Sequence, residues 1–425
     1  MEYLLMHKDI PVALIDLDVN LGTIFKVLHV YSSEHYPYGV PLYDYVKLNT
    51  WFNLRAIPAS RDNLKRLLER TGEYSSASLS VKNYSLSLTD HYWVKLPNQT
   101  VKWEEINYFD NDFSEDIGNM LFGNKIKDYP LNIKSPDCTT DGALSKRWKI
   151  LNGKRVLVKS GSSFTRQEVF NEVIASELMY RLDIPHVEYS LLYEGNKPRC
   201  ASEDFITRDT EYIGAWYFLG MPDDLTMDNF YERYSSRCKD LHLESALIQF
   251  DQMLLVDYLL LNCDRHLTNF GFIRDVNTLE IISTAPIFDT GSSLGCNLTF
   301  SDLQFDDACE LQPLKITPDM QLEAIRSFSW LDANKLNNFD IFIRNTLAKM
   351  PDKLHPERID LIVNNFLNRR NKLIGLVSKV ILASELSSFH QMKVMRILQS
   401  LGIEDLESWM KLHTADEALR LLEGD

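Results

Sequence analysis

The 425-residue sequence is short of several features that would point to a function class at once. Six cysteines are present, at 138, 200, 238, 263, 296 and 309, and no two have the C-x-x-C spacing. Cys263 and His266 have a C-x-x-H spacing, but no second pair lies near them to complete a zinc site. The expectation is a set of reduced, mostly buried thiols in a cytoplasmic protein. The first residues, MEYLLMHKDIPVALIDLD, carry no basic stretch followed by an apolar core and a small-residue cleavage site, so no signal peptide is read. The longest apolar run, residues 254–261, is interrupted by Asp257 and is too short to span a bilayer. Positive charge is in deficit, with a formal net charge of −15. Such a chain is repelled by nucleic acid and by anionic membrane unless it has a local basic patch. The densest basic cluster is Arg369, Arg370 and Lys372, which reads as a solvated helix end. Direct nucleic-acid binding and membrane association are therefore not expected, although a DNA-binding partner protein remains open.

What is present is an ordinary globular composition, 45% hydrophobic and 25% charged, in a chain long enough for two or three domains. Residues 11–17 alternate loosely and predict a strand. Residues 61–70 predict a helix between Ser60 as N-cap and Gly72 as C-terminal cap. SLSLTD at 85–90 alternates and predicts a strand or extended edge, and residues 107–114 are rich in turn formers. Residues 146–150 and 155–159 flank Asn152-Gly153, a strong hairpin signal. A helix over 165–182 follows, then strands over 187–193 and 199–207 around the turn Gly195-Asn196. Beyond residue 210 the pattern is mostly helical, most clearly at 245–262. Two short strands at 271–274 and 280–283 interrupt it, and Thr317-Pro318 starts another helix. The fold class is α+β, with a mainly antiparallel sheet. The division read from the sequence is a mixed segment at 1–130, a small sheet-bearing unit at 131–208, a helical unit at 209–385, and a helical appendage at 386–425.

The chemistry centres on Asp264-Arg265-His266-Leu267-Thr268-Asn269, which follows a long apolar helix and precedes a short strand. Phosphoryl transfer needs a carboxylate that orients the acceptor hydroxyl close to a metal ligand, and an Asp and an Asn five positions apart on a loop can supply both. Twenty residues beyond Asn269 comes Asp289-Thr290-Gly291. Alone, an Asp-x-Gly is an ordinary turn. Paired with Asn269 across two short strands, Asp289 suits Mg²⁺, which is held by one or two carboxylates together with substrate phosphates. Lys159 ends an apolar strand. It could snorkel to solvent, or it could hold phosphates while paired to a helix glutamate, for which Glu172 is the best placed. Residues 139–146, TTDGALSK, contain one glycine and so match neither G-x-G-x-x-G nor a Walker loop. Their position before the hairpin lets backbone N–H groups and Lys146 cover phosphates.

DRHLTN followed by FDTG, with VLVKSG and FNE upstream, resembles the HipA-like serine/threonine kinases over residues 135–380. The resemblance implies a bilobal kinase-like fold. It has a small antiparallel-sheet lobe, a mostly helical large lobe and ATP between them, with residues 1–130 as an extra N-terminal α+β part. It implies Asp264 as base, Asn269 and Asp289 as magnesium ligands, and Glu172 as the partner of Lys159. It implies ATP contacts from Gly142, Ala143, Ser145, Lys146, Lys159, Glu203, Phe205, His266 and Phe288, with residues 202–205 as the adenine hinge. The type member of the family is autophosphorylated on a serine of its glycine-containing loop, where this chain has Thr139 and Thr140. A protein substrate, and a toxin role with an antitoxin or DNA-binding partner protein, are further implications. The N-terminal SLTDHYW run departs from the family's small first subdomain. Two other readings stay open: a kinase-fold enzyme acting on a lipid or small-molecule hydroxyl, and a pseudokinase scaffold.

Overall fold

In the computed structural model, residues 1–124, 129–162, 166–305, 309–350 and 354–384 are described. The expected appendage at 386–425 lies outside the described residues. The first sheet has the antiparallel order β3-β2-β1-β4, from β1 (Glu2–His7), β2 (Ile10–Asp18), β3 (Thr23–Val30) and β4 (Tyr92–Lys95). β2 is the strand predicted at 11–17, and its alternating residues Ala13, Ile15 and Leu17 are buried, with Val12 beside them. Helix α1 (Tyr45–Leu54) packs on β3, α2 (Leu64–Thr71), α3 (Ser76–Lys82) and α5 (Asp116–Leu121) meet in a separate apolar cluster, and α4 (Trp103–Ile106) sets Trp103 beside Trp93 of β4. α2 ends on Gly72 as expected, at a φ of 71° that suits glycine, but its N-cap position is Asn63 rather than Ser60.

The strand expected at 85–90 is absent. Ser85 and Ser87 are as buried as Leu86 and Leu88, so the alternation does not mark a solvated and a packed face. Tyr84 and Ser85 adopt positive φ, and the segment packs as a loop whose Thr89 carbonyl accepts from Tyr212 N–H.

The second sheet has the order β5-β6-β8-β7, from β5 (Lys146–Leu151), β6 (Lys154–Lys159), β7 (Ser190–Glu194) and β8 (Lys197–Glu203). Asn152 and Gly153 both have positive φ, which is why this dipeptide closes a two-residue hairpin. β8 stops at Glu203, short of the expected 207, because Asp204 turns the chain by accepting from Ile206 N–H. Helix α6 (Glu168–Arg181) packs against this sheet.

The remaining helices are α7 (Ala215–Phe218), α8 (Met227–Asp240), α9 (Ser245–Leu260), α10 (Pro318–Ala324), α11 (Phe339–Leu347) and α12 (Pro356–Ser384). A third sheet joins β9 (Thr210–Gly214), β10 (Gly271–Asp275) and β11 (Ile281–Thr284) in the order β11-β10-β9. α9 is the centre of the large core, and Leu254, Leu255, Tyr258 and Leu259 have no exposed surface. The architecture is a mixed α+β fold with a small antiparallel-sheet lobe and a mostly helical lobe.

The N-terminal part is packed onto the small lobe. Met6, Trp93, Trp103 and Tyr108 share one apolar cluster with Trp148 of β5 and Leu157 of β6. One expectation about the cysteines is overturned: Cys263 and Cys309 form a disulfide. They are 46 residues apart, and only the convergence of the turn after α9 with the segment around 309 brings them together. Cys138, Cys200, Cys238 and Cys296 are buried. Among the described residues no helix is long and apolar enough to cross a membrane.

Candidate active site

Two adjoining cavities, of about 300 and 440 Å³, lie between the lobes. The register of β5 and β6 places Lys146 opposite Lys159 at their mouth. Lys159 Nζ donates to Glu172 Oε1 of α6 at 2.7 Å, to Tyr189 Oη at 3.0 Å and to Asp289 Oδ1 at 2.5 Å. Burial opposes a charge on this amine. The carboxylates of Asp289 and Glu172 outweigh it and hold Lys159 above the usual lysine range. Burial likewise opposes the Asp289 carboxylate, but Lys159 and Lys146 keep it well below the usual carboxylate range. The other oxygen of Glu172, Oε2, accepts from Thr290 N–H at 2.9 Å and ties α6 to the Asp-Thr-Gly turn. Asn171 donates to the carbonyls of Gly291 and Ser293, locking the same turn from one residue earlier.

Asp264 stands on the loop after α9, where Leu261 ends the helix in a left-handed conformation. Its Oδ1 is 2.5 Å from His266 Nε2, and both side chains are about half exposed to the cleft. This contact raises the His266 pKa. Arg265 faces the opposite way and is fully buried. Its guanidinium makes a bidentate pair with Asp257 of α9, both bonds at 2.9 Å. It also donates to the carbonyls of Asn269 and Phe288 and to Thr290 Oγ1. One buried cation therefore fixes the Asp264 loop against the Asp289 turn.

Asn269 Nδ2 donates to the Asp264 carbonyl at 3.3 Å, which leaves the Asn269 Oδ1 as the atom directed to other ligands. Asn269 and Asp289 line both cavities. An amide oxygen and a carboxylate on one wall are the donor types Mg²⁺ takes, so these residues fit the ion.

The glycine-containing loop borders the larger cavity. Gly142 has a φ of 95°, and a Cβ there would stand 2.3 Å from Lys146 Nζ. The positive φ favours glycine here, and a side chain would also press on the end of Lys146. Burial lowers Lys146 to about 8, despite the opposing pull of Asp289. Ala143 lines the larger cavity with Gly142 and Lys146, whereas the Ser145 hydroxyl donates to the Leu121 carbonyl at 3.4 Å. Thr139 and Thr140 are buried, and their hydroxyls donate to the carbonyls of Leu86 and Pro136. The smaller cavity is the apolar end. Phe205 and Phe288 have ring centroids 5.5 Å apart there, beside Tyr212. Glu203 borders it, while its carboxylate pairs outward with Lys154. His266 lies with Asp264 in the larger cavity, away from Phe288.

Sequence reasoning misses three contributors. Arg61, from outside the kinase-like region, donates to the carbonyls of Thr140, Asp141 and Gly142. Tyr189 supports Lys159, and Asn171 supports the Asp289 turn. Only Asn171 carries a signal, as the neighbour of Glu172 in FNE.

No family model matches the chain. It is 31% identical over 140 residues to the serine/threonine-protein kinase CtkA of Helicobacter pylori, a stretch that covers 29% of this chain. The chain spans about two fifths of the length of that curated relative. Among solved structures, the H. pylori proinflammatory kinase CtkA aligns at 20% identity with a TM-score of 0.41, covering 54% of this chain and 91% of that one. HipA from Shewanella oneidensis, solved with HipB and operator DNA, aligns at 16% identity with a TM-score of 0.47, covering 88% and 97%. Over that stretch the chain is similar to a serine/threonine kinase, and the motif residues that carry the resemblance gather in one cleft.

Proposed function

We propose that this chain transfers the γ-phosphoryl group of MgATP to a serine or threonine hydroxyl of a protein. The observation that carries the reading is the convergence of Lys159–Glu172, Asp264, Asn269 and Asp289, from separate segments, around one cleft. A scaffold that only binds a partner has no need of all of them. In this reading Phe205 and Phe288 form the apolar wall against which the adenine packs, and the backbone of residues 203–205 serves as its hinge. Lys146 and Lys159 hold phosphate oxygens, with loop N–H groups at Gly142 and Ala143 beside them. Asn269 and Asp289 hold Mg²⁺, which when bound neutralises charge on the phosphates. Asp264 accepts the hydroxyl proton of the acceptor, and His266 orients that carboxylate. The boundaries at 131, 209 and 386 separate the lobes and flanking parts in this scheme.

Autophosphorylation at Thr140 or Thr139 would require the loop to leave its place, because both hydroxyls are bonded inside the protein. A toxin role with an antitoxin partner rests on the family resemblance alone. The decisive experiment incubates the purified chain with labelled MgATP, alone and with cell lysate, beside an Asp264→Asn variant. Transfer to protein that disappears in the variant is expected. Label transfer that persists unchanged in the variant overturns the role of Asp264.

A further inference from the structure

Away from the phosphate site, three metal-ligating side chains meet in the interior. His7 ends β1, His91 immediately precedes β4, and Glu211 lies on β9. Each is about 1% exposed. Glu211 Oε2 is 3.1 Å from His7 Nε2 and 3.8 Å from His91 Nδ1. One ligating atom from each residue lies within 4.8 Å of those of the other two. Zinc binds imidazole nitrogen and carboxylate oxygen at about 2.0–2.2 Å, so tetrahedral ligand atoms stand roughly 3.3 Å apart. The observed separations approach that spacing.

His91 gives an independent indication of a ligand. Among the described residues neither of its ring nitrogens has a partner at hydrogen-bond distance, Glu211 Oε2 standing 3.8 Å from Nδ1, although the ring is buried. Buried polar atoms in folded proteins are almost always paired. The ring is also held rigidly. It stacks on Phe109 at a centroid distance of 4.7 Å and an interplanar angle of 5°, with Trp103 at 5.2 Å.

The surroundings support the same three ligands. His7 Nδ1 is 2.8 Å from His35 Nδ1, so a metal on His7 Nε2 would leave the Nδ1–H donating to His35. Such an outer partner fixes the tautomer of a ligating histidine. Arg274 Nε donates to Glu211 Oε1 at 2.6 Å and leaves Oε2 turned toward the two imidazoles. Two imidazoles with one carboxylate suit a first-row transition metal rather than a hard cation such as Mg²⁺ or Ca²⁺.

We propose that His7, His91 and Glu211 bind one transition-metal dication of the zinc type. The site would clip the N-terminal sheet to β9 of the helical lobe, beside the wall of the nucleotide cavity that Glu211 and Arg274 line.

The test titrates the full chain, first dialysed against chelator, with Co²⁺ as a spectroscopic probe. One equivalent should give the intense visible bands of a tetrahedral site, and Zn²⁺ should bleach them. His91→Phe keeps the stack on Phe109 and should weaken binding at least tenfold. Asp289→Asn, in the cleft, should leave the bands unchanged. X-ray absorption at the cobalt edge of the wild-type chain should count two imidazoles, a reading that needs no variant. Absence of tetrahedral bands, bands that survive His91→Phe in a folded protein, or an edge spectrum without imidazole would each overturn the assignment.

Discussion

Arg61 Nε donates to the Gly142 carbonyl at 2.7 Å, across 81 residues of sequence, and its Nη2 reaches the carbonyls of Thr140 and Asp141. A side chain of the N-terminal part thus sets the position of the loop that covers the phosphate side. Hydrogen bonds from a charged donor are each worth about 1.5–3 kcal/mol when buried. Arg61→Ala should lower nucleotide affinity about tenfold or more and reduce thermal stability, read by calorimetric titration and melting. Arg61→Lys should not restore binding, because a single ammonium cannot span three carbonyls in the guanidinium fork. An unchanged affinity in Arg61→Ala would show that the loop holds itself.

If Asp289 holds Mg²⁺ as proposed, Lys159 competes with the ion for its carboxylate before nucleotide arrives. Asp289 Oδ1 is bonded to Lys159 Nζ at 2.5 Å. Lys159→Met removes that competitor and a positive charge. It should bind Mn²⁺ alone more tightly than the wild type, measured by electron paramagnetic resonance, while phosphoryl transfer falls by a factor on the order of 100 or more. The opposite directions of the two effects separate a phosphate-holding lysine from a merely structural one, whose loss would weaken both.

Lys146 makes nucleotide binding proton-linked. Burial lowers its pKa to about 8, so the free protein loses this charge as pH rises through 8. Phosphate oxygens favour the charged amine and raise the pKa in the complex. Between about pH 8 and the ordinary lysine value near 10.4, binding should therefore take up protons. Below pH 8 the uptake should vanish. Calorimetric titrations in buffers of different ionisation enthalpy measure it directly. Gly142→Ala places a Cβ against Lys146 Nζ and should weaken binding at all pH values.

The disulfide Cys263–Cys309 anchors the residue next to Asp264. Closing a loop of this length restricts the unfolded chain by about 4 kcal/mol in the chain-entropy account. Reduction, or Cys309→Ser, should lower the melting temperature by several degrees. An equal melt with and without reductant would show that the bond is not formed in solution.

The parts of the fold that can be read from the sequence are those whose signals are local. Asn152-Gly153 predicts its hairpin because both positions need positive φ. The helix at 245–260 is legible because its apolar residues recur without Gly or Pro. The segment 85–90 misleads because alternation marks a strand only where one face is solvated, and here Ser85 and Ser87 are buried with their neighbours. β9 escapes notice because TEYIG is five residues long and its pairing with β10 is non-local.

By itself the sequence determined the chemical inventory of this protein: an Asp and an Asn five apart, a later Asp-x-Gly, and a strand-end lysine followed by a helix glutamate. Each belongs to a short segment whose backbone conformation is set by its own residues. Only the tertiary structure decided which of them meet. Lys159 reaches Asp289 across 130 positions, Arg61 grips the loop across about 80, and His7 meets Glu211 across 204. Such pairs leave no spacing to read, because packing between separate sheets and helices creates their proximity.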